Sequence, residues 1–198
     1  MGIKHLSAFL VLSLPAICVY GSENISEQDW PTISKCNKCI LVQYRNLGFE
    51  ITNDDIKEIS LLDLTSPILD IQLNSDKTSK GIALINLTPS RLTDDFKNMG
   101  YFTRLGIKSN RDFFEALGRS YPEKHPGQIM RKVMEVDIAK EYIHYEKDKL
   151  NAFWIKSQNP SSQNVYLVVE GQKDVTLIGG AISPQLLNQI LSTLTISH

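Results

Sequence analysis

One stretch near the carboxyl end, residues 164–196, limits the possible folds more than any other. Residues 165–169 are continuously apolar and rich in β-branched side chains, which is typical of a covered strand. A polar segment containing Gly171 follows, and residues 175–178 are apolar again, so the pattern predicts a β-hairpin. Ser183-Pro184 is a helix start, and the apolar residues after it recur at helical spacing. The stretch therefore predicts a hairpin covered by an amphipathic helix.

The same signals recur along the rest of the chain. Residues 68–87 and 142–155 each predict a further hairpin, and residues 40–51 predict a strand, a turn and a second strand. Helix starts follow at Thr88-Pro89 and at Ser109–Asp112, where the residues resemble a capping box. Because strands come in hairpins and helices cluster between them, the class is α+β. We expect a single domain in which an antiparallel sheet built from hairpins carries packed helices.

Two segments allow more than one interpretation. Asn53-Asp54-Asp55 favours a short helical turn that carries Ile56 and Ile59. Residues 129–139 fit a helix, whereas residues 133–144 fit a strand equally well, and both alternatives stay open at this point.

The amino terminus has the pattern of a secretory signal peptide that ends at residue 21. Lys4 supplies a positive charge, a short apolar run extends from Leu6 to Ile17, and Gly21 is a small residue at the cleavage position. The apolar run is too short for a comfortable membrane span, so no stable span is expected after cleavage. We expect export to the periplasm or the cell exterior, with residues 22–35 as an irregular lead-in and residues 36–198 as the folded domain.

Charge and motif content limit the classes of function that the sequence supports. The 198 residues include 21 basic and 22 acidic side chains, a net charge of −1, and the predicted cleavage removes one lysine and no acidic residue. Like charges do not form a block, so the sequence supports neither nucleic-acid binding nor polybasic membrane attachment. The sequence contains no G-x-G-x-x-G, Walker, G-x-S-x-G or H-E-x-x-H motif, and we expect no cofactor.

The two cysteines that remain after export, Cys36 and Cys39, form a C-x-x-C pair. In an oxidising compartment such a pair closes a short loop as a structural disulfide. The alternative is a redox-active pair in which Lys35 and Lys38 lower the pKa of one thiol. The stretch before the pair is polar and the stretch after it looks extended, unlike the surroundings of a thioredoxin-type site. Zinc is not expected, because the sequence has no second C-x-x-C pair or paired histidines to complete a site.

Aromatic and ionisable side chains supply the candidates for a binding surface. Tyr142, His144 and Glu146 alternate along a predicted strand and therefore share one face, which is suited to ligand binding or acid–base chemistry. A solvated strand face is the alternative. Phe153 and Trp154 are adjacent, so their rings point to opposite faces and one ring is expected to be exposed. Trp154, Tyr142 and His144 are therefore the predicted binding surface.

The layout of residues 40–196 carries one further clue. Leu47-Gly48-Phe49-Glu50-Ile51 is a Gly-Phe strand entry, helices are predicted around Phe96 and Phe113, and a Ser-Pro helix follows a glycine-rich strand end. In these features the chain resembles the Mog1/PsbP-like fold group. The resemblance implies an antiparallel sheet flanked by helices and a binding or accessory role, and the group shares no catalytic residues that could be transferred to this chain.

The sequence thus predicts an exported, non-enzymatic protein that binds another protein. An inhibitor or immunity-type protein is one form of this role. A thiol–disulfide redox protein that uses Cys36 and Cys39 is the alternative.

Overall fold

The computed structural model describes residues 25–32, 38–62, 66–74 and 80–197. The strands in these ranges are β1 (Ser26–Asp29), β2 (Cys39–Tyr44), β3 (Leu47–Thr52), β4 (Ile56–Leu62), β5 (Ile68–Leu73), β6 (Lys80–Leu87), β7 (Glu141–Lys147), β8 (Leu150–Lys156), β9 (Gln163–Val169), β10 (Val175–Gly180) and β11 (Thr195–Ile196). The helices are α1 (Pro89–Leu92), α2 (Asp94–Asn98), α3 (Tyr101–Leu105), α4 (Asn110–Leu117), α5 (Pro126–Val133) and α6 (Pro184–Thr193), with 3-10 turns at Asn53–Asp55 and Val136–Ile138. This mixture of helices and sheet strands confirms the α+β class.

The strands form two sheets. Eight of them lie in the order β1-β7-β8-β9-β10-β6-β5-β4, and three form a smaller sheet in the order β11-β3-β2. The three predicted hairpins are confirmed as the antiparallel pairs β9–β10, β5–β6 and β7–β8.

The structure differs from the predicted single antiparallel sheet in two respects. The small sheet is separate from the large one, and β1 pairs with β7 in parallel. β1 also lies within residues 22–35, which were expected to be irregular. Its four residues are polar and exposed, so the strand has no apolar alternation in the sequence to reveal it. Only its long-range pairing with β7 makes it a strand.

An apolar core lies on each face of the large sheet. On one face, α6 and the inward side of the small sheet cover residues that include Ile71, Leu84 and Ile178. On the other face, α2, α4 and α5 cover a second core that includes Phe153 and Tyr166. The closing helix α6 buries Leu187, Ile190 and Leu191 in the first core, as its predicted apolar stripe requires.

The helices α1, α4 and α6 begin where the sequence signals place them. At α4 the Ser109 hydroxyl accepts a hydrogen bond from the Asp112 backbone N–H (3.1 Å), and the Asp112 carboxylate accepts one from the Ser109 N–H (3.0 Å). The helix predicted after Thr88-Pro89 is interrupted at Thr93, which separates α1 from α2. Both alternatives for residues 129–144 hold in part, because α5 ends at Val133 and β7 begins at Glu141.

Candidate functional site

The C-x-x-C pair is only half described, because Cys36 lies outside the described residues. Cys39 begins β2, and the side-chain amide of Gln189 on α6 donates to Cys39 Sγ (3.3 Å) and to Thr52 Oγ1 (2.9 Å). The amino end of β2 is therefore held against α6. The predicted Cys36–Cys39 disulfide and its redox alternative both stay predictions.

The three residues predicted to form a binding surface are buried. Trp154 is 3% exposed and faces the core beneath α6, whereas Tyr142, 4% exposed, faces the core beneath α4 and α5. The Tyr142 hydroxyl donates to the carbonyl oxygen of Phe114 (2.9 Å), which ties β7 to α4. Phe153 is also fully buried, so neither ring of the Phe153–Trp154 pair is exposed as expected. The structure thus places Tyr142 and His144 on one face and Trp154 on the other.

His144 is buried and lies in a polar cluster between β1, β7 and β8. Its Nδ1 is 2.8 Å and 3.0 Å from the two carboxylate oxygens of Glu27, and its Nε2 is 2.9 Å from Asn151 Oδ1. The imidazole stacks on the Phe153 ring, with centroids 4.3 Å apart and an interplanar angle of 2°. Both ring nitrogens are engaged and the ring is buried, so this geometry supports attachment of β1 rather than chemistry on a dissolved substrate.

Asn151 completes this cluster and is fully buried. Its Nδ2 has no hydrogen-bond partner among the described residues. Burying an unpaired amide N–H group costs free energy, and the contact of the Asn151 oxygen with His144 offsets part of that cost.

Glu146 shares the predicted face with Tyr142 and His144, but it turns away to an ion-pair cluster. The Arg111 guanidinium of α4 contacts Glu146 (2.7 Å), Glu115 (2.7 Å) and Glu170 (3.1 Å). The hydrogen bonds that Arg111 donates to Glu115 and, with a smaller effect, to Glu146 raise the pKa of Arg111 above its usual value. The cluster joins α4 to the ends of β7 and β9, and it is partly exposed, so its contribution to stability is modest.

Burial also controls the tyrosines of the helix-covered core. Burial raises the pKa of Tyr166 to about 12 and raises the pKa of Tyr142 well above its ordinary value. Both phenols therefore keep their protons at neutral pH, and neither is suited to act as a base there.

The most distinctive exposed feature is β4, at one edge of the large sheet. It pairs with β5 on one side, and no strand of the described ranges pairs with its other side. An edge strand of this kind presents unpaired backbone N–H and C=O groups to solvent. Three of its apolar side chains are also exposed, Ile59 by 40%, Leu61 by 63% and Leu62 by 46%. The edge therefore combines the two features that an added strand recognises, free backbone groups and apolar side chains.

The exposed residues of β4 continue an apolar row of the sheet. Ile59 lies opposite Ile71 in the register, and Leu61 lies opposite Leu69. Ile71 and Leu69 are buried in the core beneath α6, and the row becomes exposed one strand further out. A register shift between Ile56 and Glu58 bends the first part of β4. The regular part of the free edge is therefore its second half.

Hydrogen bonds from Asn74 support the pairing of β4 with β5 at the amino end of β4. The Asn74 amide donates to the carbonyl oxygens of Asp54 (2.8 Å) and Ile56 (3.2 Å), and its backbone N–H donates to the Asp55 carbonyl (2.9 Å). These bonds fasten the end of β5 to the turn before β4. The helical turn predicted to carry Ile56 and Ile59 is wrong, because both residues belong to β4, although a 3-10 turn does form just before them at Asn53–Asp55. The alternation of Ile59 and Leu61 was the sequence signal that could have revealed the strand.

No group of three or more His, Cys, Asp or Glu side chains in the described ranges is placed to hold a metal ion. Among the same residues, no helix has both the length and the apolar character needed to cross a membrane. Comparison with protein families, with curated proteins and with solved structures found no match to this chain.

Proposed function

We propose that this chain is an exported, non-enzymatic binding or accessory protein that engages another protein by strand addition at β4. The observation that carries the proposal is the free edge of β4 with its exposed Ile59, Leu61 and Leu62. Export to the periplasm or the cell exterior rests on the signal-peptide pattern of the sequence. The binding role implied by the Mog1/PsbP-like resemblance is compatible with this proposal, and so is an inhibitor-type role.

The chemistry of the edge specifies its partner. An extended segment that pairs with β4 places side chains on alternate faces. Apolar residues at two alternate positions of that segment would cover Ile59 and Leu61, and a basic residue opposite Glu58 would add a favourable cross-strand pair. The partner is therefore an extended, alternately apolar segment of another protein.

The proposal is tested with the mature chain beginning at Ser22. A peptide library displayed on phage is selected against the immobilised chain, and enriched peptides should show alternating apolar residues. Binding should slow hydrogen exchange of the β4 amides, because the added strand pairs with them.

Two matched variants locate the binding edge. Leu61→Lys places a charge on the edge, and Val133→Lys places the same charge on α5 at a residue of nearly equal exposure, 62% against 63%. Selected peptides should lose at least tenfold in affinity for Leu61→Lys and keep their affinity for Val133→Lys. Equal binding to both variants, or slowed exchange away from β4, would contradict the proposal. A monomer–dimer equilibrium of the chain alone that Leu61→Lys abolishes would assign the edge to a second copy instead.

A further inference from the structure

A groove at one end of the large sheet carries a different inference, independent of the β4 edge. The groove has a volume of about 740 Å³ and lies where the ends of β8, β9 and β10 meet the first turn of α6. This volume falls in the range of small-molecule sites in proteins, roughly 300–1,000 Å³. Neither Ile59 nor Leu61 lines it.

The lining of the groove includes apolar side chains of different exposure. Trp154 and Ile182 are nearly fully buried and offer little accessible surface, whereas Pro184 of α6 is exposed and Leu186 of α6 is half-buried, so these two supply the accessible apolar surface along one side. Aromatic and aliphatic side chains of this kind provide most of the contact area in ligand sites. The groove can therefore accept an apolar body of moderate size.

Hydrogen bonds hold the Trp154 ring and the neighbouring loop in place. The indole Nε1 donates to Gln163 Oε1 (3.3 Å), and the same oxygen accepts from the Ser157 backbone N–H (3.1 Å). Gln163 Nε2 donates to the carbonyl oxygens of Asn159 (2.6 Å) and Ser157 (3.2 Å). Gln163 is itself buried, so it anchors the loop between β8 and β9. This wall is preorganised, and a ligand would order little of it on binding.

Three lysines from separate places in the chain line the same groove. Lys80 begins β6, Lys140 precedes β7 and Lys156 ends β8. Asp55 is the only acidic residue among the lining residues described. The full chain carries a net charge of −1, so the groove reverses the overall sign of the protein. A surface of this kind attracts anions.

Two of these lysines are neighbours. The Lys140 backbone N–H donates to the Lys156 carbonyl oxygen (2.7 Å), which places the two residues side by side at the end of the β7–β8 pair. Lys156 Nζ is 2.7 Å from Glu141 Oε2 and lies 5.1 Å from the centroid of the Trp154 ring. No ion pair of Lys140 is found among the described residues. The cationic part of the groove therefore adjoins its aromatic part.

We infer that this groove binds an amphiphilic anion, with its apolar body against the apolar α6 side chains beside the buried Trp154 and its carboxylate or sulfonate head near Lys140 and Lys156. The apolar lining supplies contact area, and the ammonium groups of the lysines that line the groove supply charge pairing and orientation. The two features lie side by side, so one ligand with both parts gains from both.

The test uses 1-anilinonaphthalene-8-sulfonate, a fluorescent amphiphilic anion, with the folded mature chain carrying Trp30→Phe. Trp154 is then the only tryptophan of the mature chain, and energy transfer from it reports binding of the probe to the folded chain, while the charge reversals below locate the site. We expect saturable binding at one site. The neutral analogue N-phenyl-1-naphthylamine, which lacks the sulfonate, should bind at least tenfold more weakly.

Charge reversals locate the head group. Lys140→Glu with Lys156→Glu should weaken binding of the sulfonate probe at least tenfold, whereas Lys124→Glu with Lys147→Glu, which changes the net charge equally outside the groove, should leave it unchanged. Equal effects of the two pairs, or no effect of either, would overturn the inference. Should the first pair fail to fold, the wild-type indole N–H resonance of Trp154 still decides, because it must shift on titration with the probe. The peptide experiment on β4 shares no residue with this test, so either proposal can fail alone.

Discussion

The two ends of the eight-stranded sheet differ in how far their apolar side chains are buried. At the helix-covered end, the rings of Phe114 and Phe153 stack with centroids 5.0 Å apart, and the Tyr166 ring lies 4.8 Å from that of Phe114. At the β4 end, Ile59 and Leu61 continue a core row and yet face solvent. Both ends use strands with apolar residues, but among the described residues helices cover only one of them.

This difference shows that apolar content and burial are separate properties. An apolar side chain stabilises the fold only by the area that neighbouring elements remove from water. β8 and β9 have strands on both sides and helices above them, whereas β4 has one neighbouring strand in the part of the chain that the structure describes. The residues of β4 thus contribute little to stability, and they remain available to a partner.

The largest expected effect lies at the covered end. Phe114→Ala should lower the free energy of unfolding by about 3–5 kcal/mol, because it removes a fully buried ring and leaves a cavity. Leu61→Ala at the open end should lower it by less than about 1 kcal/mol, since most of that side chain is already exposed. Urea unfolding of both variants measures the difference. Similar losses would mean that the two ends do not differ as described.

The second effect appears at alkaline pH and also belongs to the covered end. Tyr166 and Tyr142 stay protonated in the folded state, because burial raises the pKa of Tyr166 from 10.0 to about 12 and raises that of Tyr142 well above 10.0. The unfolded chain ionises both phenols nearer pH 10, so above that pH the folded state binds more protons. Ionisation of these two tyrosines should therefore leave the free energy of unfolding unchanged below about pH 10 and lower it above that pH, by up to about 1.4 kcal/mol per pH unit for each tyrosine.

Unfolding measured across this pH range, together with tyrosinate absorbance of the folded chain, checks the alkaline prediction. Tyr166→Phe should reduce the slope of stability against pH above pH 10. A slope unchanged by this substitution would show that other groups cause the alkaline loss.

A third, smaller effect is expected at β1, which forms the edge of the sheet opposite to β4. β1 is held at its edge by the contact of Glu27 with the buried His144. Glu27→Gln should destabilise the attachment of β1 by about 0.5–1 kcal/mol and speed hydrogen exchange of the β1 and β7 amides, because the Glu27 side chain is largely exposed. Asp29→Asn on the same strand is the matched control. If both variants speed exchange equally, the His144 contact is not what holds β1.

The smallest effect on stability is expected at the free edge. Leu61→Lys should change the free energy of unfolding by less than about 0.5 kcal/mol, because the side chain points into solvent. The same variant should aggregate less on heating, since a lysine at an edge opposes strand pairing. Calorimetry and light scattering measure the two quantities. A large loss of stability would place Leu61 in the core and remove the basis of the docking proposal.

Local patterns were enough to predict much of this fold. The hairpin of β9 and β10, the capping box at Ser109 and the start of α6 at Pro184 depend on residues close together in the chain, so their signals are complete within a short window. β4 was missed for the opposite reason. The i, i+3 spacing of Ile56 and Ile59 also fits a helical turn, and only the pairing with β5 decides for a strand.

The candidate sites were less accessible to prediction. Trp154, Tyr142 and His144 were chosen for their chemistry, but burial depends on which elements cover a strand, and the sequence pattern did not reveal that. The lysine groove was not anticipated, because Lys80, Lys140 and Lys156 are far apart in the chain and meet only when β6, β7 and β8 are in place.

The amino-acid sequence by itself determined the α+β class, the hairpins and the helix starts, since each follows from the alternation or capping of neighbouring residues. Only the tertiary structure decided the second sheet, the parallel attachment of β1 and the free edge at β4. These features depend on contacts between distant residues, such as that of Glu27 with His144, and a local pattern carries no information about which distant partner is present or absent.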